Sequence, residues 1–228
     1  MADIYAFPLG TPTAARADNR ENHAADMPMN RPLGVPDVVW DAVLSVRNMR
    51  RVNGVAYREI PIPCAMADFG VGVALESSSY RDEKSYFRND CAMTGNRCAT
   101  ADGWIMVLYS HDCLDDWHSH WRCVAFASLP LPNEREDCLT PSMYWDSMLE
   151  HLDEAGAENV SGTVTVTRNT TFGSMSGVPS MGCELRVSWT PLDYADGGLD
   201  AGDQVESWAW FLPVSYTHLR AHETPEHL

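Results

Sequence analysis

The sequence contains no long apolar run and no surplus of basic charge. Its longest apolar stretch is residues 104–109, whereas a membrane-spanning helix needs about 20 apolar residues. The chain has 16 Lys and Arg against 32 Asp and Glu, a formal net charge of −16. Such an acidic chain repels phosphate backbones. We therefore expect neither a membrane span nor a direct nucleic-acid ligand.

Motifs that bind phosphate or activate a nucleophile are also missing. Neither a Gly-x-x-x-x-Gly-Lys phosphate loop nor a Gly-x-Gly-x-x-Gly dinucleotide loop occurs. Residues 173–177 read Gly-Ser-Met-Ser-Gly, with methionine where a nucleophile elbow requires serine. These absences predict no catalytic residue and no cofactor, and they make a non-enzymatic role the leading hypothesis.

The cysteines show no spacing typical of a disulfide framework or a zinc site. Their number, seven, is odd, and the first ten residues lack the basic start and apolar run of a signal peptide. Reduced thiols and a cytoplasmic location are therefore expected. Cys123 and Cys183 lie in predicted strands and are expected to be small buried side chains.

Composition divides the chain into three parts. Residues 1–34 are rich in Ala, Asn, Asp, Arg and Pro without periodicity, which predicts a disordered leader. Residues 35–213 carry the periodic segments and are predicted to form a single domain. Residues 214–224 resemble the translation of a sequencing adapter, so we interpret 214–228, which carry three histidines, as an artefact.

Hydrophobic periodicity predicts a mixed fold. Helices are predicted over 36–47, 141–155 and around 205–211. Strands are predicted over 69–75, 104–109, 122–129, 163–167 and 183–189. Pro61 and Pro63 exclude a central strand at 59–63, which is predicted to be an extended edge or a lead-in to the next strand. The resulting order, α-βββ-α-ββ-α, favours an α+β fold with an antiparallel sheet and the helices packed on one face.

Several short strings occur together in a fixed order. They are Glu59-Ile60-Pro61-Ile62-Pro63, His111-Asp112, Trp117 followed by Trp121-Arg122, Gly162-Thr163-Val164-Thr165, Phe172-Gly173 and Ser188-Trp189-Thr190-Pro191. With this set, the chain resembles an actinobacterial family, domain of unknown function number three thousand, over about 36–211. The chain departs from the family pattern at Ser119, where glycine is usual, and at 77–101, which resembles a longer insertion.

The resemblance implies a cytoplasmic, single-domain protein without established catalytic residues. Family members tend to lie beside a gene for a ribonuclease D-like protein, which implies a link to RNA processing through a protein partner. The order of elements is also similar to that of secretion-chaperone-like dimeric folds, a topological likeness that carries little information about function.

The densest group of polar ligands is the 111–120 segment. Imidazole and carboxylate groups together can bind a divalent metal such as zinc, and His118 and His120 share a face if the segment is extended. However, no known zinc spacing occurs here, and Asp and His also collect in solvated hairpin turns. The candidate metal ligands are His111, Asp112, Asp116, His118 and His120.

Eight tryptophans are present, and some of them are candidates for interface anchors. Trp104, Trp145 and Trp189 fit core positions. Trp117 and Trp121 flank the predicted hairpin, whereas Trp208 and Trp210 point to opposite sides of the last helix. Exposed aromatic residues commonly anchor protein interfaces, although these four can also cap the ends of the sheet.

Three functional hypotheses follow. The leading one is a protein that acts through protein contacts, as an adaptor, a chaperone-like protein or a homodimer. The second is a metal-dependent hydrolase that uses the 111–120 loop. The third is a small-molecule binding module beneath the strand that carries Gly70 and Gly72.

Overall fold

The computed structural model describes residues 31–63, 65–77, 101–131, 141–170, 172–173 and 180–221. Residues 1–30 of the predicted leader and residues 78–100 of the predicted insertion lie outside this described part. The elements are α1 (Asp37–Asn48), β1 (Val55–Ile60), β2 (Phe69–Ser77), β3 (Ala101–Leu114), β4 (Ser119–Leu131), α2 (Pro141–Glu154), β5 (Ala157–Asn169), β6 (Ser180–Pro191) and α3 (Ala201–Ala221).

The strands form one six-stranded antiparallel sheet in the order β1-β2-β3-β4-β6-β5. The predicted α+β class is therefore confirmed, but the predicted order lacks one strand. The missing strand is β1, which pairs with β2 from Val55↔Ser77 to Ile60↔Gly72. It was missed because an edge strand followed by prolines buries little and has a weak apolar pattern.

The three helices do not contact the sheet equally. Helix α3 packs on β2, β3 and β4, whereas α1 contacts mainly α3, and α2 contacts α3 and β5. At the crossing of α1 and α3, a Cβ atom on Gly202 would lie 2.6 Å from the Ser45 carbonyl oxygen. The Gly202 N–H also donates to Ser45 Oγ at 3.0 Å. The α1–α3 contact thus depends on a residue without a side chain.

The main core lies between the helices and one face of the sheet. Every second residue of each contributing strand faces this core, as the two-residue period of a strand requires. From the sheet come Val71, Val73, Leu75, Ile105, Val107, Trp121, Cys123, Ala125, Ala127, Leu129, Cys183, Leu185, Val187 and Trp189. The predicted burial of Cys123, Cys183 and Trp189 is confirmed, with all three fully buried.

The sequence predicts an α2 partner for Trp189, and the structure shows contacts of its ring with α3. An α2 stripe of Trp145, Met148 and Leu152 would be its natural cover if no other helix lay on this face. In the structure, the Trp189 ring lies 5.8 Å from that of Trp208, and its Nε1–H donates to Gln204 Oε1 at 2.8 Å. Helix α3 therefore covers Trp189, because α3 lies over the middle of the sheet.

The opposite face of the sheet carries a smaller apolar cluster. Ile62, Met106 and Leu108 are buried there, with Trp104 and Trp117 packed against them. A Cβ atom on Gly70 would lie 2.6 Å from Ile62 Cδ1 and 2.6 Å from the Val107 carbonyl oxygen. The space over Gly70 is thus filled by the chain itself, and this packing disfavours a small-molecule site beneath the strand.

Replacing Trp189 by alanine is expected to cost about 3–5 kcal/mol of unfolding free energy, since a fully buried ring and a buried hydrogen bond are lost. Arg186 is the matched control, because it lies on the other face of the same strand and its ion pair with Glu184 is exposed. Arg186→Ala should stay within about 0.5 kcal/mol of wild type. Urea denaturation followed by circular dichroism measures both, and equal midpoints would contradict this packing.

The predicted artefact at 214–228 gives a second prediction. The backbone of α3 is helical to Ala221, and its side chains are described as far as Leu212. A chain truncated after Pro213 should melt within about 2 °C of the full chain, because the translation of an adapter has not been selected to pack against the fold. Differential scanning calorimetry measures this, and a fall of several degrees would show that the segment belongs to the fold.

Candidate docking cleft between α2 and α3

A cleft of about 700 Å³ opens where the end of α2, residues 192–200 and the first half of α3 meet. Helix α2 ends at Glu154, and the turn after it contains Gly156, whose φ of +68° is a conformation that favours glycine. The Leu192 N–H then donates to the Gly156 carbonyl at 3.0 Å, which holds the chain beside the end of the helix. These contacts form one wall of the cleft.

The opposite wall is the N-terminal half of α3. Asp200 caps this helix, because its Oδ1 accepts a hydrogen bond from the Asp203 N–H at 3.1 Å. A negative charge at this position also interacts favourably with the helix dipole. The first turn of α3 is thereby fixed with its acidic side chains at the cleft.

The floor of the cleft includes a buried amide whose polar groups are engaged. Gln204 is only 3% exposed. Its Oε1 accepts from Trp189 Nε1, and its Nε2 donates to the Ala155 carbonyl, both at 2.8 Å. Nearby, Ser207 Oγ donates to the His151 carbonyl at 2.7 Å. These groups hold the walls together.

The cleft is strongly acidic. Carboxylates lining it are Glu154, Asp200, Asp203 and Glu206. Partial burial, followed by the charges of Asp200 and Glu206, raises the pKa of Asp203 above its usual range. The cleft is therefore a region of concentrated negative potential, which attracts cations.

Its rim is apolar and exposed. Leu192 is 64% exposed, Tyr194 59% and Trp210 39%. Trp210 Nε1 donates to Glu206 Oε1 at 3.3 Å, which holds the ring beside a carboxylate. Exposed aromatic rings next to carboxylates are well suited to bind a cationic group with an apolar stem.

A guanidinium of the chain already contacts this rim. Arg50 lies with its Cζ 5.8 Å from the centre of the Trp210 ring, and its Nε is 3.4 Å from Glu206 Oε1. The Arg50 side chain is nevertheless 74% exposed. The Trp210–Glu206 pair thus binds a cation in a contact that is weakly held and open to exchange.

Only part of the predicted set of interface tryptophans lies at the surface. Trp121 is 1% exposed, and its Nε1 donates to the Gly197 carbonyl at 2.9 Å. Trp208 is fully buried against the sheet. Trp117 is half-buried in the smaller cluster. Of the four, Trp210 is the most exposed, because the 3.6-residue period of α3 turns Trp208 toward the sheet and Trp210 away from it.

The candidate metal ligands lie along the β3–β4 hairpin without converging. Strand β3 continues to Leu114, so His111 and Asp112 lie in the strand, and the turn is only residues 115–118. His118 has a φ of 54°, so it does not share an extended face with His120. His120 Nδ1 lies 2.9 Å from the Ser110 carbonyl oxygen. Over the described part of the chain, no three such side chains are grouped to hold a metal.

Replacing His118 and His120 together by alanine should leave metal content at background and change the unfolding free energy by about 1 kcal/mol or less, the value of one hydrogen bond. Elemental analysis of the purified protein and a urea melt test this. Stoichiometric zinc that disappears in the double variant would restore the metal hypothesis.

The cleft itself was missed by sequence reasoning, apart from Trp210. A signal was present, because Asp200, Asp203, Glu206 and Trp210 recur at three- and four-residue spacing and so share one side of a helix. The parts of the cleft formed by α2 and by residues 192–200 have no comparable signal in the sequence, because their position beside α3 depends on packing between distant segments.

None of the helices in the described part of the chain has the length and apolar character needed to cross a membrane. No curated protein and no solved structure gave a significant match to the sequence. A family model described as "Protein of unknown function (DUF3000)" matches residues 35–216. This match covers most of the chain and includes every described element except the last five residues of α3, and the chain therefore belongs to the DUF3000 family.

Proposed function

We propose that this chain is a cytoplasmic adaptor or chaperone-like protein that acts through protein contacts, and that the cleft between α2 and α3 binds a basic segment of a partner protein. The observation that carries the proposal is the combination of clustered carboxylates with an exposed aromatic rim in one cleft. A segment with alternating basic and apolar residues satisfies both features.

Charge complementarity favours such an occupant. The whole chain has a net charge of −16, and the cleft concentrates part of that charge at its mouth. Long-range attraction of this kind speeds encounter with a basic partner and disfavours acidic competitors. Carboxylates at the rim are therefore expected to affect the association rate and its salt dependence.

The position of Arg50 indicates how the occupant binds. Arg50 contacts both Trp210 and Glu206, although most of its side chain remains in solvent. An arginine from a partner can make the same two contacts and also bury its stem against Leu192 or Tyr194. Displacement of Arg50 costs little, because exposed ion pairs contribute at most about 1 kcal/mol.

The polar groups of the cleft favour docking over catalysis. Gln204 has both amide groups hydrogen-bonded inside the protein, and His151 Nδ1 lies 2.9 Å from the Ser147 carbonyl oxygen. Both side chains therefore support the structure of the cleft walls. We propose the ribonuclease D-like protein implied by the family resemblance as the first partner to test.

Binding of a labelled peptide tests the proposal. The probe is a fluorescent 12-mer of alternating Arg and Leu, with a Glu/Leu 12-mer as the charge control. Asp203→Asn with Glu206→Gln should weaken Arg/Leu binding about tenfold, equivalent to about 1.4 kcal/mol, and Trp210→Ala should also weaken it. Affinity should fall as the pH is lowered through the raised pKa of Asp203, since protonation removes its negative charge.

The matched control is Asp115→Asn with Asp116→Asn, which removes two exposed carboxylates from the β3–β4 turn. This variant has the same net charge as the cleft variant and should bind almost as wild type. Equal loss in both double variants would show attraction to overall charge and would contradict a docking cleft. If sedimentation velocity instead shows a dimer that Trp210→Ala dissociates, the occupant is a second copy and the basic-partner proposal fails.

A further inference from the structure

Arg122 is a buried cation on the sheet face that points away from the helices. It is 9% exposed. Its neighbours in β4, Trp121 and Cys123, face the main core, so the two-residue period turns Arg122 to the opposite face. The site is therefore separated from the cleft by the sheet itself.

All hydrogen bonds that Arg122 makes within the described part of the chain go to neutral oxygens. Nη1 donates to Thr190 Oγ1 at 2.9 Å and to the Asn159 carbonyl at 3.4 Å. Nη2 donates to Ser188 Oγ at 2.8 Å and to Ser161 Oγ at 3.5 Å. These four acceptors come from β5 and β6, and none carries a charge.

A buried guanidinium with only neutral partners is energetically unusual. Burying a charge without a counter-ion is expensive, and arginines in protein interiors are normally paired with a carboxylate. No carboxylate in the described residues forms an ion pair with Arg122. Burial accordingly lowers the pKa of Arg122 from its usual value.

Hydroxyl groups next to the guanidinium are accessible and can donate to a ligand. Ser161 Oγ and Ser188 Oγ lie 3.2 Å apart in an exposed contact, so one of the two protons is left to donate outward. Thr190 differs, because its hydroxyl proton is donated to the Trp117 carbonyl at 2.7 Å. The four Nη–H groups of Arg122 already donate within the protein, so the Ser161–Ser188 pair is the group that can donate to an incoming anion. The guanidinium holds both hydroxyl oxygens in place and supplies the positive charge beside them.

We propose that Arg122, Ser161 and Ser188 form a binding site for a carboxylate group. A single guanidinium balances one negative charge, which fits a carboxylate better than a doubly charged phosphate on so acidic a chain. The carboxylate supplies the negative charge that Arg122 lacks and accepts a hydrogen bond from a hydroxyl of the serine pair. Independently of the cleft, this gives the chain a second binding site on its other side.

Arg122 also has a structural role that the test must separate from binding. The register of β5 against β6 shifts between Glu158 and Ser161, and Asn159 has a φ of 48°. Because Nη1 bonds the Asn159 carbonyl, loss of the guanidinium disturbs this bulge. The informative variants are therefore Ser161→Ala with Ser188→Ala, which keeps Arg122, and Arg122→Lys, which keeps the charge.

Thermal melts of the full chain in 0.2 M sodium acetate, with sodium chloride at equal ionic strength as the reference, test the site. Wild type should melt about 2–5 °C higher in acetate, as weak binding to the native state alone predicts. The serine double variant and Arg122→Lys should each lose most of this increment. Thr163→Ala with Thr165→Ala, which removes two exposed hydroxyls from the same face of β5, should retain it.

Two results would overturn the proposal. If acetate raises the melting temperatures of all variants equally, it acts through a general solvent effect and no carboxylate site exists. Inorganic phosphate at the same ionic strength is the second comparison. If it raises the melting temperature more than acetate does, and the serine double variant loses this rise, the ligand is a phosphate and the carboxylate assignment is wrong. If Arg122→Lys does not fold, the serine double variant alone is sufficient to test the site. Neither result affects the proposal for the cleft, which is tested separately.

Discussion

The buried amide of Gln204 is the interaction on which both the fold and the cleft depend. It accepts from Trp189 in β6 and donates to the turn that follows α2, so it connects the sheet, α2 and α3 at one point. An amide inside a core is stabilising only while its partners are present, and losing either one leaves an unsatisfied polar group. Because of this constraint, α3 has one position on the sheet. The wall of the cleft formed by α3 is fixed by the same contact.

Strand β6 supplies residues to both proposed sites, because successive side chains point to opposite faces. Trp189 faces the helices and holds Gln204 beneath the cleft. Ser188, the preceding residue, faces the other way and accepts from Arg122. The sites are thus separated in space by the thickness of the sheet but are joined through the backbone of one strand.

The sequence predicts the fold class and the buried faces well, because both depend on local periodicity. In β2 and β6, the buried residues alternate with residues that cannot be buried on the same face, so the register follows from the pattern. The buried residues are Val71, Val73 and Leu75 in β2, and Cys183 and Leu185 in β6. Edge strand β1 was not predicted, since a half-exposed strand has little pattern to detect. The contact of Trp189 with α3 was not predicted either. Periodicity shows that a side chain is buried but not which of several helices covers it.

The site was less predictable than the fold for the same physical reason. A stripe of Asp200, Asp203 and Glu206 is visible in the sequence, but by itself it is common at the start of a helix, where the dipole offsets the repulsion between like charges. What distinguishes this stripe is its place beside exposed Leu192 and Tyr194, which arrive from a separate segment. Partial burial of Asp203, together with the charges of Asp200 and Glu206, disfavours its ionised form, and this is a cost that the packing of the core does not require. Together with an aromatic rim that already contacts a guanidinium, this cost is the reason to regard the cleft as a binding surface for cations.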